Sequence, residues 1–160
     1  MLNSSLGRVW FLRLAPYAVC VYQFCSLWYN PTRQIPTEED GVAGMALVQM
    51  VSEIEGEVFI PHHGYMAARV GKKAYVHTVG INDILRSRDD LAPSLKAKLQ
   101  QAIREKRFAA IVSNGDNWLQ ETVQILDSHY TDKGPIFNSP DVFYPVTGVH
   151  TRPEHFWVPR

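Results

Sequence analysis

What this chain lacks narrows it before what it has. It carries no excess charge, since sixteen Lys and Arg balance sixteen Asp and Glu. No basic run provides the electrostatic footprint of a nucleic-acid binder. The cluster from Arg104 to Arg107 falls at the end of an expected helix, where cations complement the helix dipole. Only two cysteines are present, Cys20 and Cys25, five apart in an apolar stretch. They are too few for a zinc site and have no C-x-x-C spacing, so burial in a helix is the plain reading. There is no H-E-x-x-H, no G-x-G-x-x-G and no Walker pattern around Lys72 and Lys73. Ser113 lacks the G-x-S-x-G setting of a strained nucleophile. Internal repeats and low-complexity tracts are absent as well.

What is there begins with "VWFLRLAPYAVCVYQFCSLWY", residues 9–29, in which Arg13, Gln23 and Ser26 are the clearly polar residues. As a helix it spans about 30 Å, the thickness of a hydrocarbon core. Trp28 and Tyr29 suit an interfacial belt, and Arg8 and Arg13 favour a cytoplasmic N-terminus. Arg13 and Pro16 argue against a simple span. Residues 1–29 are expected to form an apolar, transmembrane helix with the bilayer as partner, the alternatives being a buried or interfacial helix and a signal peptide, for which no small-residue cleavage pattern follows. Residues 30–36, within "YNPTRQIP", read as an extended proline-containing strap.

Residues 37–160 are expected to form one α/β domain. At 160 residues in all, the chain is long enough to bury a core without a disulfide or metal staple. Thr37 with Asp40 forms an acidic capping-box variant that opens a helix running to about Glu55, where Gly56 stops it. "EVFIP" and "KAYVHTV" read as strands, with a short helix around Asn82 to Arg86 after them. "LAPSLKAKLQQAIREKR" repeats Leu91, Leu95, Leu99, Ala102 and Ile103 at helical spacing. "FAAIVSNG" is a continuous apolar strand, and "NWLQETVQILDSHY" a helix with Asp116 as its cap. "VFYPV" reads as a weaker strand before a Pro- and aromatic-rich end. Helices alternating with unbroken apolar strands indicate a small Rossmann-like domain, a mainly parallel sheet with helices on both faces.

Ligands in such sheets sit beyond the carboxyl ends of the strands. "HHGY" follows one strand, Asn114 and Asp116 follow another, and His77 with Asp83 lies near the end of a third. The candidate ligand-binding residues are thus His62, His63, Tyr65, Lys72, Lys73, His77, Asp83, Asn114 and Asp116. A metal-hydrolase reading takes His62, His77 and Asp83 as ligands that acidify a bound water. Against it, the spacing matches no metal motif, and such residues are more often polar groups bonded to backbone. Lys72, Lys73 and Arg69 support a third reading, recognition of an anionic sugar or lipid headgroup. No residue is assigned a catalytic role, and no cofactor is expected.

The order of "LWYNP", "IPTEEDGVAG", "GEVFIPHHGYMAARVGKKAYVH", "IND", "FAAIVSNG" and "YPVTGVHTRPEHFWVPR" resembles the C-terminal extracytoplasmic region of bacterial multi-pass membrane glycosyltransferases. These are the GT-C type related to dolichyl-phosphate-mannose protein mannosyltransferases. The resemblance covers nearly the whole chain. It implies a non-catalytic accessory domain on the extracytoplasmic, periplasmic side of the inner membrane, serving acceptor binding or structural support. Its partner would be the transmembrane part of a glycosyltransferase. The family's catalytic carboxylates lie on an early loop between membrane helices, which has no counterpart here, so none is carried over.

Overall fold

The structure, a computed structural model, describes residues 4–87, 90–114 and 120–160. The chain divides into two compact units between Ile35 and Pro36.

The first unit contains helix α1, Ser4–Ser26, with Pro16 inside it, and a 3-10 turn, Pro31–Gln34. The turn replaces the expected extended strap. Asn30 explains it, because its side-chain oxygen accepts from the Thr32 N–H at 3.0 Å and the Thr32 hydroxyl at 2.7 Å. The expected helix forms, but among the described residues no helix is long and apolar enough to cross a membrane. Arg13, Pro16 and Gln23 dilute the apolar run below that requirement.

The second unit begins with α2, Glu38–Glu53, and the capping box expected from Thr37 and Asp40 is formed in both directions. After it come β1 (Val58–Phe59), α3 (Gly64–Arg69), α4 (Thr78–Ser87) and α5 (Ala92–Arg104). The chain ends with β2 (Ala110–Ser113), α6 (Gln120–His129), β3 (Tyr130–Pro135) and β4 (His155–Pro159). The sheet order is β1-β2-β4-β3. Among the described residues only β1 and β2 pair in parallel, whereas β4 runs antiparallel to both β2 and β3. The expectation of a mainly parallel sheet is therefore corrected to a mixed one. The reason is the C-terminal segment, which returns between β2 and β3. Trp157 pins it by donating its indole N–H to the Ser113 hydroxyl at 3.0 Å in the core.

Both faces of the sheet are covered. Val58, Ile60, Ala110 and Val112 pack with Leu47 and Val51 of α2 and Met66 and Ala67 of α3. Phe59, Ile111 and Trp157 face the other way, against Ile81 of α4, Ile103 of α5 and Leu126 of α6. This period-two split on strands buried on both faces is why β1 and β2 read as unbroken apolar runs. Every residue of the two core clusters belongs to the second unit, so residues 36–160 carry their own core.

Two further expectations are corrected. "KAYVHTV" is not a ladder strand: residues 72–77 have no regular structure and α4 starts at Thr78. The segment is a strap held by side chains, with the Lys72 ammonium on the Ile54 carbonyl and the Tyr75 hydroxyl on Glu57. "VFYPV" is a turn, because Phe143 sits at φ 65°, in the left-handed region that no strand residue adopts. Its N–H is anchored on Asp40 Oδ1 at 2.6 Å. Between β1 and the strap, "GYMAAR" forms the short helix α3. A Cβ on Gly64 would lie 2.9 Å from the Tyr75 carbonyl oxygen, so only glycine lets the helix start this close to the strap.

Candidate functional site

The parallel pairing of β1 and β2 brings their carboxyl ends side by side. His62 and His63 leave β1 there through buried Ile60 and Pro61. Asn114 leaves β2 at the same edge, and Glu154 closes it by donating its N–H to the Ser113 carbonyl at 2.8 Å. The strap delivers His77 to this edge, since the Thr78 N–H bonds the Pro61 carbonyl at 2.8 Å.

The result is a cluster of imidazoles and an amide. The His62 ring lies 5.7 Å from His77 and 6.5 Å from His63, centre to centre. His63 Nε2 is 3.4 Å from Asn114 Nδ2, which also donates to the Thr151 hydroxyl. With Nδ2 as donor, the His63 ring is neutral and carries its proton on Nδ1. Burial, then the neighbouring His62 and His77, push the His63 pKa from 6.5 to about 4. Burial and His77 lower that of His62 as well. Two atoms of the cluster, His62 Nδ1 and Asn114 Oδ1, are buried without a hydrogen-bond partner. Native interiors seldom leave such groups unpaired.

A loop from the C-terminal region walls the cluster. Arg152, buried, donates to the carbonyls of Ser139 at 2.9 Å and Val142 at 2.7 Å. Its guanidinium lies over the rings of Tyr144, at 4.6 Å, and Phe137, at 5.5 Å. Tyr144 stacks on His150 at 3.7 Å and donates its hydroxyl to Glu154 at 3.0 Å. Between this loop, the start of α2 and the β1–α3 turn is a cavity of about 250 Å³, lined by Asp40, His63, Tyr65, Phe143, Tyr144 and Thr151 among others.

The structure thus brings together His62, His63, His77, Tyr65 and Asn114. It does not bring the lysines to them. Lys72 bonds the Ile54 carbonyl at the end of α2, and Lys73 lies over the Tyr75 ring, whose hydroxyl reaches Glu57 just before β1. That is the amino end of the strand, opposite the histidines. The strap runs the length of β1, and sequence spacing alone hid this separation. His77 has its Nδ1 engaged in accepting the Val79 N–H at 3.1 Å, as a cap on α4. Asp83 lies on the exposed side of α4. Among the described residues no group of three or more His, Cys, Asp and Glu is arranged to hold a metal ion, so His62, His77 and Asp83 do not assemble the expected set. Asp116 lies outside the described residues.

Sequence reasoning missed Asp40, Phe143, Tyr144 and Thr151 as site residues. Asp40 was legible only as a helix cap, and the others fall in a turn-rich segment whose fold depends on Arg152. No protein-family profile, no curated protein and no solved structure matches this chain, so its place rests on its own geometry.

Proposed function

We propose that this chain is a membrane-associated, non-catalytic α/β binding module, an extracytoplasmic accessory domain of a glycosyltransferase-like membrane system. The observation that carries the reading is α1 and the residues after it. Tyr17, Tyr22 and Phe24 are 70%, 73% and 81% exposed, and Trp28 is 88% exposed. Leu14, Val19, Val21, Leu27 and Tyr29 are exposed too. A helix with apolar side chains around its circumference needs an apolar surround, from lipid or from membrane-embedded protein. Trp28 and Tyr29 have the amphipathic rings that favour the headgroup layer. Support for a binding rather than a catalytic role comes from the cavity, where His63 is held neutral and faces an amide rather than a nucleophile.

Neither alternative gains comparable support. The metal-hydrolase reading needs a third ligand beside His62 and His77, and among the described residues no such group of three assembles; the anion-binding reading needs lysines that lie at the other end of β1.

Flotation with liposomes tests the proposal, comparing the full chain with residues 36–160, which hold the whole core. The full chain is expected to rise with the vesicles and the shorter one to stay below. A full chain that stays with the soluble fraction refutes membrane association. Protease access to a C-terminal tag in spheroplasts then places the domain: cleavage agrees with the extracytoplasmic side, and protection overturns it.

A further inference from the structure

We infer that the cavity beside His63 binds an uncharged, polyhydroxylated ring the size of a single sugar. This rests on the binding-module reading above and names the ligand class of that site.

Size comes first. At about 250 Å³ the cavity is below the usual range for drug-sized ligands, so one ring fits and two do not. A groove of about 450 Å³ along α2 and α3 shares Asp40, Tyr65 and Phe143 with it and leaves room for substituents to extend.

Charge comes second. No lysine or arginine lines the cavity, while the Asp40 carboxylate does. Asp40 holds its negative charge firmly: hydrogen bonds from the Thr37 side chain, the Phe143 N–H and the Thr37 N–H lower its pKa. A carboxylate without a facing cation repels an anionic ligand. The neighbouring imidazole is uncharged and adds no attraction for one.

Hydrogen-bonding character comes third. Thr151 accepts from Asn114, so its own O–H remains a donor. His63, with Nε2 occupied by the amide, offers Nδ1–H as a donor. Asp40 Oδ2 already accepts from the Thr37 N–H and hydroxyl, whereas Oδ1 accepts from the Phe143 N–H and keeps a second lone pair for a ligand hydroxyl. Ligand hydroxyls both donate and accept, and they satisfy such a mixed set where a carboxylate, which only accepts, does not. Tyr65, 57% exposed at the mouth, supplies an aromatic face for the C–H side of the ring. Its own ring meets His63 edge-on at 6.1 Å. Asn114 is a positioning residue, fixing the His63 tautomer from behind.

The test uses 15N-labelled residues 36–160 titrated separately with glucose, mannose, N-acetylglucosamine and glucuronate. At least one neutral sugar is expected to bind with millimolar affinity, with shifts concentrated at residues 63, 65, 144 and 151. Tyr65→Ala, exposed and harmless to the core, is expected to weaken binding about tenfold. Asn114→Ala is expected to change the imidazole 15N pattern of His63 as well as affinity, which a merely structural role would not do. No shifts with any neutral sugar, or glucuronate binding at least as tightly, overturns the inference. Flotation is indifferent to either result, so the two proposals fail separately.

Discussion

Acidification should weaken the α/β unit through His63 in a specific pH window. The group's folded pKa, about 4, is below its ordinary 6.5. Between those values the unfolded chain binds a proton that the folded chain refuses, so stability falls as pH drops from about 6.5 and levels off below about 4. A gap of about 2.5 pH units corresponds to roughly 3 kcal/mol at full effect, and partial solvent access reduces this to about 2 kcal/mol. His62, also lowered, acts in the same direction. Urea unfolding of residues 36–160 at steps from about pH 7.5 to about pH 4 would measure the loss, with His63→Gln as the comparison. The glutamine keeps an amide beside Asn114 but cannot take up the proton. The two proteins should lose stability at different rates across the window, the wild type shedding about 2 kcal/mol more. Parallel curves would refute the reasoning, because they would show that His63 titrates alike in both states.

Two substitutions probe how the site is held. Gly64→Ala places a methyl group 2.9 Å from the Tyr75 carbonyl and should cost about 1–3 kcal/mol in urea unfolding. Gly41→Ala, with nothing within 4 Å of the new Cβ, should instead stabilise α2 by about 0.5–1 kcal/mol. Equal effects at the two glycines would refute the close approach of α3 to the strap. Asp40→Ala removes the N3 half of the capping box and the anchor of the Phe143 N–H and should cost about 1–2 kcal/mol. It should also loosen the 140–145 turn, read as faster amide exchange there. Unchanged exchange at Phe143 would show that the left-handed turn holds itself.

The elements legible in the sequence are those whose signal is local. The α2 capping box is written in Thr37 and Asp40, the two ends of a four-residue stretch that specifies its own hydrogen bonds. Helix α5 follows from apolar spacing and a proline in its first turn. Strands β1 and β2 follow from apolar runs flanked by turn residues, and their parallel pairing explains why histidines and Asn114 could be placed on one edge in advance. Elements that depend on a distant partner were not legible. Strand β3, "YTDKGP", has the composition of a turn and holds because it is an edge strand, where Lys, Gly and Pro are tolerated. Strand β4 is framed by Pro153 and Pro159, which read as breaks but fall at its ends. Its insertion between β2 and β3 is set by the Trp157 bond to Ser113, forty-four positions away.

The same division runs through the site. The sequence by itself determined which chemistry was on offer: three histidines and an asparagine at strand ends, an apolar helix with terminal aromatics, and no balance of charge towards an anion. Only the tertiary structure decided which of those groups meet. The strap that carries Lys72 and Lys73 past β1 leaves them at its amino end and brings His77 to its carboxyl end. Arg152 folds the C-terminal loop so that Tyr144 and Thr151 wall the cavity. Local propensity acts over a few residues, whereas convergence at a strand end is set by chain direction and by contacts far apart in sequence.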